Sequence, residues 1–330
     1  IVTSKPVLRG YSGDRFLLIR EESKTGDLSQ SSIDHVITLD MSEIDKIEIV
    51  RGPKSLIYGV NTIGGVIKAD SYANPKKRVD KFFKRIILGG ESFNKSKYGN
   101  IILFVPIKNN QINFSIGNRD AKNQMSSEGK EIENTYFKTF NNRLGFTKYF
   151  KRSYINFIIE SFNLDYGVPP SSMGHTNGVD IELNKNTLQF NYHYDVSFLS
   201  FDQFDVRYNF VSYEHEEFEN LFSVGLLKDT HNLKIDFKSN HLSVGFESNY
   251  EMFGTSGFHW TPTTNKLDLA IYGYHERKYI DFDFLNSFRL GYLGISPKDG
   301  EMYFANLDHK EVNDKNFTYL SLSSGIRKKI

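Results

Sequence analysis

From about residue 79 to its end the chain alternates apolar and polar positions with a period of two. Leu188, Phe190, Tyr192 and Tyr194 alternate with Gln189, Asn191, His193 and Asp195, and Phe204, Val206, Tyr208 and Phe210 alternate with Asp205, Arg207 and Asn209. Ile112/Phe114/Ile116, Leu233/Ile235/Phe237, Leu242/Val244/Phe246 and Leu267/Leu269/Ile271 repeat the pattern. Successive side chains of an extended chain point to opposite faces, so each run predicts one amphipathic strand, about twelve in all. The connections alternate in length. Tight turns are expected near Asn109–Asn110, Lys151–Arg152, Ser197, Ser239–Asn240 and Tyr279. Longer polar connections are expected at Asp120–Asn134, Asp165–Lys185, Glu214–Leu221, Phe253–Asn265 and Gly294–Lys315. The tight turns recur at roughly 40-residue intervals with two long strands in each, so the long connections project from one end, as in a transmembrane barrel. A propeller needs four short strands per repeat and Trp-Asp marks, which this chain lacks. A large soluble β-sandwich, secreted and carbohydrate-binding or adhesive, alternates as well and stands as the alternative of another class.

Residues 1–70 have another texture. Phe16, Leu17, Leu18 and Ile19 form one short apolar run and Ile44, Ile47, Ile49 and Val50 a second, punctuated by Gly52, Pro53, Gly59, Gly64 and Gly65. This predicts a small α+β unit over 1–70, a linker over 71–78 that includes Lys76, Lys77 and Arg78, and the strand region over 79–330. The expected fold is mainly β: a small α+β domain followed by an incomplete antiparallel transmembrane barrel of about twelve strands.

Composition narrows the chemistry. With 41 Lys+Arg against 40 Asp+Glu the chain has no field that would recruit nucleic acid, which is excluded as a partner. It has no cysteine, so disulfides, thiolate catalysis and Cys-ligated metal sites are excluded. Forty-seven Phe and Tyr, 28 and 19, favour strands. No window is apolar enough for a transmembrane helix, and Ile1–Arg9 has no basic segment followed by an apolar one, so no signal peptide is expected there.

The run Ile44-Asp45-Lys46-Ile47-Glu48-Ile49-Val50-Arg51-Gly52-Pro53-Lys54-Ser55-Leu56-Ile57-Tyr58-Gly59, followed by Asn61-Thr62-Ile63-Gly64-Gly65-Val66-Ile67, resembles the plug signature of TonB-dependent outer-membrane receptors. Arg9-Gly10 and Arg15–Ile19 resemble the strand before it, with Glu22-Ser23 where the family has Asp-Gly. Within the signature, Glu48, Arg51, Gly52, Pro53, Tyr58, Gly59, Gly64 and Gly65 are expected to be structural, with Arg51 and Glu48 as a buried pair fixing the plug against the wall. No Lys-Ser/Thr follows the glycines, so a phosphate loop is not supported.

Ser31-Ser32-Ile33-Asp34-His35-Val36 is similar to the plug apex of the zinc-uptake subgroup of these receptors. Tyr166–Pro170, Asp180–Leu183 and Tyr213–Glu217 are similar to barrel segments of the same subgroup. The resemblance implies that a plug Asp-His and a barrel Glu and His ligate metal. Alternation adds direction: with Phe204–Phe210 even positions facing lipid, Tyr213, His215 and Glu217 point inward near the external mouth. Asp34, His35, His215 and Glu217 are therefore the candidate metal ligands, with His175 a weaker one, since carboxylate oxygen and imidazole nitrogen suit zinc. Asp34 and His35 can share an ion only if their segment turns. The loop opening at Asp165 has one histidine, His175, where the subgroup has many. His193 is expected to be a lumen wall residue, and the other histidines are assigned nothing.

The resemblance implies an outer-membrane receptor of a Gram-negative-type bacterium that takes up a scarce nutrient, zinc or another divalent metal, with a siderophore, haem or cobalamin-like cargo as the alternative. It implies no catalysis and no required cofactor, zinc being cargo. The expected partners are outer-membrane lipid, an extracellular metal or metal complex, and the TonB complex through an N-terminal segment outside this sequence. Plugged barrels have about 22 strands, so 330 residues are expected to be a fragment lacking segments at both ends.

Overall fold

The computed structural model describes residues 5–32, 34–71, 78–171, 175–219, 222–257, 261–298 and 312–328. Two bodies make up the chain, a small sheet inside a curved wall. The small sheet holds β1 (Leu17–Arg20), β2 (Ser23–Lys24), β3 (Ile44–Val50) and β4 (Val66–Ser71) in the order β2-β1-β4-β3, with β1 and β4 parallel. A 3-10 turn over Gly13–Arg15 precedes β1, and 3-10 segments over Met41–Glu43 and Gly52–Ile57 lie between β2 and β3 and between β3 and β4. The second is capped by Asp40, whose carboxylate accepts from the Ser42 N–H at 2.8 Å. Gly65 enters β4 at φ +118°, where a Cβ would lie 2.9 Å from the Val50 carbonyl oxygen, so a side chain is excluded on two counts. Most of the predicted linker, residues 72–77, lies outside the described residues, as do parts of the long connections at 220–221, 258–260 and 299–311.

The wall follows as β5 (Phe83–Glu91), β6 (Ser96–Ile107), β7 (Asn110–Ala121), a small hairpin of β8 (Gln124–Met125) and β9 (Glu131–Ile132), then β10 (Phe137–Tyr149), β11 (Ser153–Val168), β12 (Val179–Phe198), β13 (Phe201–Glu219), β14 (Phe222–Lys238), β15 (Leu242–Gly257), β16 (Thr264–Lys278), β17 (Phe282–Pro297) and β18 (Lys315–Lys328). Twelve of these strands form one antiparallel meander, as the alternation predicts, with β5 and β18 as its two edges. The sheet does not close on itself. Among the described residues no helix is long and apolar enough to cross a membrane.

Two expected loops are strand instead. β13 continues through Glu214–Glu219, and Asp165–Val168 and Val179–Lys185 belong to β11 and β12. The cause is visible on the outer face. Outward positions of β11 run Ile155, Phe157, Ile159 and then Ser161, Asn163, Asp165; those of β12 run Tyr192, Phe190, Leu188 and then Asn186, Asn184, Glu182; those of β13 run Phe204 to Phe210 and then Ser212, Glu214, Glu216. The register pairs Ile159 with Leu188 and Leu188 with Phe210, and one step up Ser161 with Asn186 and Asn186 with Ser212. The apolar band thus ends on one line across three strands, while the ladder continues past it with both faces hydrogen-bonded or wet. Polar outward residues above a lipid band read as loop in a sequence.

The plug meets the wall through two apolar clusters and an ionic one. Leu17, Ile19, Val50, Ile57 and Val66 pack with Tyr272 and Tyr274 of β16. At the other end Val36 inserts among Phe162, Leu164, Tyr166, Ile181, Leu183 and Tyr213. Between them Arg20 reaches Glu43 at 3.1 Å and Glu160 of β11, while Arg143 of β10 reaches Glu21 at 2.5 Å and Glu160 at 3.3 Å. Glu43 also accepts from Ser115 at 2.8 Å and Asn141 at 2.7 Å. Burial alone would raise the Glu21 carboxyl; Arg143 and Arg20 outweigh it and hold it at about 2. The expected Arg51–Glu48 pair is not made. Glu48 lies half-exposed on the edge strand β3 and pairs with Lys46 at 3.1 Å, and Arg51 is exposed before the Gly52 turn. Tyr58 of the signature is buried under Lys234, whose Nζ donates to the Ile57 carbonyl at 3.1 Å.

Candidate metal centre

The apex of the plug, residues 27–38, is a loop closed by one carboxylate. Asp27 accepts from the Ser29 hydroxyl at 2.7 Å and from the Thr38 hydroxyl at 2.7 Å, tying both ends together. Lys185 of β12 donates to Thr38 at 2.8 Å, and Tyr166 of β11 donates to the Asp34 carbonyl at 2.9 Å. With Val36 seated in the wall cluster, these contacts leave His35 no choice of direction.

His35 faces His215 and Glu217, two inward residues of β13 separated by one outward residue, Glu216. The His35 Nε2 lies 3.4 Å from Glu217 Oε1, the His215 Nε2 lies 3.0 Å from the same oxygen, and the two rings are 4.5 Å apart centre to centre. The ligand atoms of all three lie within 4.8 Å of one another. Zinc bonds of 2.0–2.2 Å in a tetrahedron place neighbouring donor atoms roughly 3.3–3.5 Å apart, so small rotations suffice to surround one ion. Both imidazoles are held from behind: Nδ1 of His35 by Ser31 Oγ at 2.8 Å and Nδ1 of His215 by the Tyr213 hydroxyl at 3.1 Å. His35 and His215 are buried.

The cluster stands above the apolar band, beside Leu183 and Ile181 in the ladder. Burial lowers the pKa of His215, which favours the neutral ring a metal needs. Burial opposes ionisation of Glu217, but hydrogen bonds and charge from His215 and His35 prevail and hold its carboxyl at about 2. The arrangement supplies two imidazole nitrogens and one carboxylate from two separate bodies, plug and wall.

Of the predicted residues, the structure brings His35, His215 and Glu217 together and leaves Asp34 and His175 outside. Adjacent residues diverge: Asp34 turns to His175, whose Nε2 is 3.2 Å from its carboxylate, and the other nitrogen of His175 is 3.1 Å from Glu219. Burial opposes the charge on this ring, but its hydrogen bonds to Glu219 and Asp34 prevail and raise its pKa, which favours an ionic link beside the cluster. Ile33 of the apex motif lies outside the described residues. His193 does line the lumen side, bonded to Asp205 at 2.7 Å. Glu219, Ser31 and Tyr213 were not singled out as partners in the sequence, although Tyr213 and Glu219 share the inward parity of His215 and Glu217.

Next to the cluster a cavity of about 390 Å³ is bounded by Leu28, Ser32, Asp34, His35, Glu217, Leu226 and Phe253, among others. A larger one of about 590 Å³ between plug and wall is lined mainly by apolar residues such as Leu18, Ile37, Phe137 and Leu164 and holds none of the predicted ligands.

Comparison with known proteins adds three findings. Residues 2–66 match the family model described as the TonB-dependent Receptor Plug Domain. A stretch of 142 residues, 42% of this chain and 20% of the relative, is 26% identical to the Heme/hemopexin utilization protein C of Haemophilus influenzae (strain 86-028NP). Among solved structures, the copper transporter OprC superposes with a TM-score of 0.82 at 11% identity, covering 99% of this chain and 54% of that one. The ferric citrate transporter FecA in its unliganded form gives 0.69 at 11% identity, covering 99% and 52%. The fold is therefore that of these plugged outer-membrane barrels, and the chain spans about half the length of the solved structures it matches and a fifth of the curated relative.

Proposed function

We propose that the chain is the plug and part of the wall of a TonB-dependent receptor of the outer membrane, and that its cargo is a divalent metal ion, zinc foremost. The plug match and the fold support the receptor class. The cluster of His35, His215 and Glu217 supports the metal. Its donors are imidazole nitrogen and carboxylate oxygen, which suit a borderline divalent ion such as zinc.

The ligands also suggest how cargo leaves. One is on the plug and two are on the wall, so a tetrahedral ion is held only while the two bodies are docked. Movement of the plug under the pull of a TonB-type partner separates one donor from two and lowers affinity without any covalent step. Release then follows from differential affinity between two arrangements.

The test is zinc titration of the detergent-solubilised chain against a chelator of known affinity. Micromolar or tighter binding that His35→Ala and His215→Ala each abolish is expected; equal affinity in all three proteins overturns the metal reading. A second reading, a haem-containing cargo, is favoured by the named activity of the curated relative. Haem added to the chain would then give a shifted Soret band that His215→Ala removes.

A further inference from the structure

The proton on the His35 ring can be placed from its neighbours. Ser31 has one hydroxyl hydrogen, and it is donated to the Leu28 carbonyl at 2.7 Å. Toward Nδ1 of His35, 2.8 Å away, the Ser31 oxygen can only accept. The other neighbour of that nitrogen, the Leu28 carbonyl at 3.2 Å, also only accepts. Nδ1 must therefore carry the hydrogen, and in the neutral ring Nε2 carries a lone pair. That lone pair faces Glu217 Oε1 at 3.4 Å, acceptor against acceptor, at a buried position. A metal ion between them, or a second proton on the ring, satisfies both atoms.

We infer that Ser31 is a positioning residue for metal capture: by donating its own hydrogen to Leu28 it holds the neutral His35 ring in the Nδ1–H form, so that the Nε2 lone pair faces the space beside Glu217 where an ion would sit. Tyr213 stands differently behind His215, because a phenol can donate or accept and does not choose the tautomer. The site thus pairs one ring of fixed tautomer on the plug with one adaptable ring on the wall. Partners of this kind orient ligating imidazoles and typically change metal affinity 10–100-fold when removed.

This rests on the metal reading above, and the experiment separates the two. In the detergent-solubilised full chain, histidine-ring ¹⁵N–¹H correlation spectra, with His35 assigned by its loss in His35→Ala, report the tautomer without metal; Zn²⁺ titration reports affinity. The Nδ1–H form is expected in the wild type. Ser31→Ala should shift the ring toward Nε2–H, the form that can donate to Glu217, and weaken zinc about 10–100-fold. Ser31→Thr, which keeps the hydroxyl, should restore both. An Nε2–H ring in the wild type, or Ser31→Ala within twofold of wild-type affinity, overturns the role of Ser31 while leaving the metal site standing. No zinc bound by the wild type overturns the metal reading, and the tautomer spectra still decide what Ser31 does to His35.

Discussion

Arg143→Met tests whether the ionic cluster between plug and wall holds them together. Arg143 is buried, with its guanidinium on Glu21 at 2.5 Å, Glu160 at 3.3 Å and Ser71 at 3.1 Å. Methionine fills much of the same volume and donates nothing, so Glu21 is left buried with the Ser71 hydroxyl and the more distant charge of Arg20. Removing one partner of a buried pair costs about 3–5 kcal/mol, against about 0–1 kcal/mol for an exposed pair. The expected loss is therefore a hundredfold or more in the folded-to-unfolded ratio, with the plug released first. The assay is denaturant unfolding in detergent together with limited proteolysis of the plug. The pH dependence gives an independent sign. Glu21 ionises near 2 when docked, below its ordinary 4.5, so its contribution is complete above about 4.5 and fades as pH falls toward 2. In Arg143→Met the docked carboxyl loses its largest lowering influence and its pKa rises toward 4.5, so that acid-side loss should shrink. The double variant with Glu21→Gln should cost less than the sum of the singles, because it removes both charges. A cost below about 1 kcal/mol for Arg143→Met, with no change in acid sensitivity, would refute the reasoning.

Three further outcomes are expected. Asp34→Ala should weaken zinc less than about fivefold, since it breaks only a partly exposed link to His175, whereas His35→Ala should cost more than about a hundredfold; equal losses would place Asp34 in the ligand set. Gly65→Ala should destabilise by about 1–3 kcal/mol in denaturant unfolding, because φ +118° and the 2.9 Å approach to the Val50 carbonyl both penalise a Cβ. Leu144→Arg on the outward face of β10 should cost about 2–4 kcal/mol when the chain is refolded into bilayers, whereas Glu182→Arg, above the apolar band, should cost little; equal effects would misplace the band.

The wall was legible because alternation reports one bit per residue, and that bit also gave the inward facing of His215 and Glu217. The plug apex was legible in kind, since Val36 carries His35 to the wall. What the sequence withheld was long-range pairing. Arg20, Glu21, Glu43, Arg143 and Glu160 come from four separate elements, and no spacing rule connects them. Arg51 and Glu48 were expected in that role because they adjoin the signature turn, but on the edge strand β3 Glu48 pairs with its neighbour Lys46 instead. The divergence of Asp34 from His35 follows from the extended chain, which a motif of adjacent letters does not display.

The three strands that build the site outrun the apolar band. Beyond Ile159, Leu188 and Phe210 they continue for eight or more residues, which at about 3.3 Å per residue and a tilt near 45° raises the wall roughly 20 Å above the hydrocarbon. An ion held by His35, His215 and Glu217 would therefore be stripped of water against protein alone, at a height where acyl chains contribute nothing to its energy. Zinc binding, if it occurs there, should then be indifferent to lipid chain length or saturation and sensitive to the ionic strength of the outer medium.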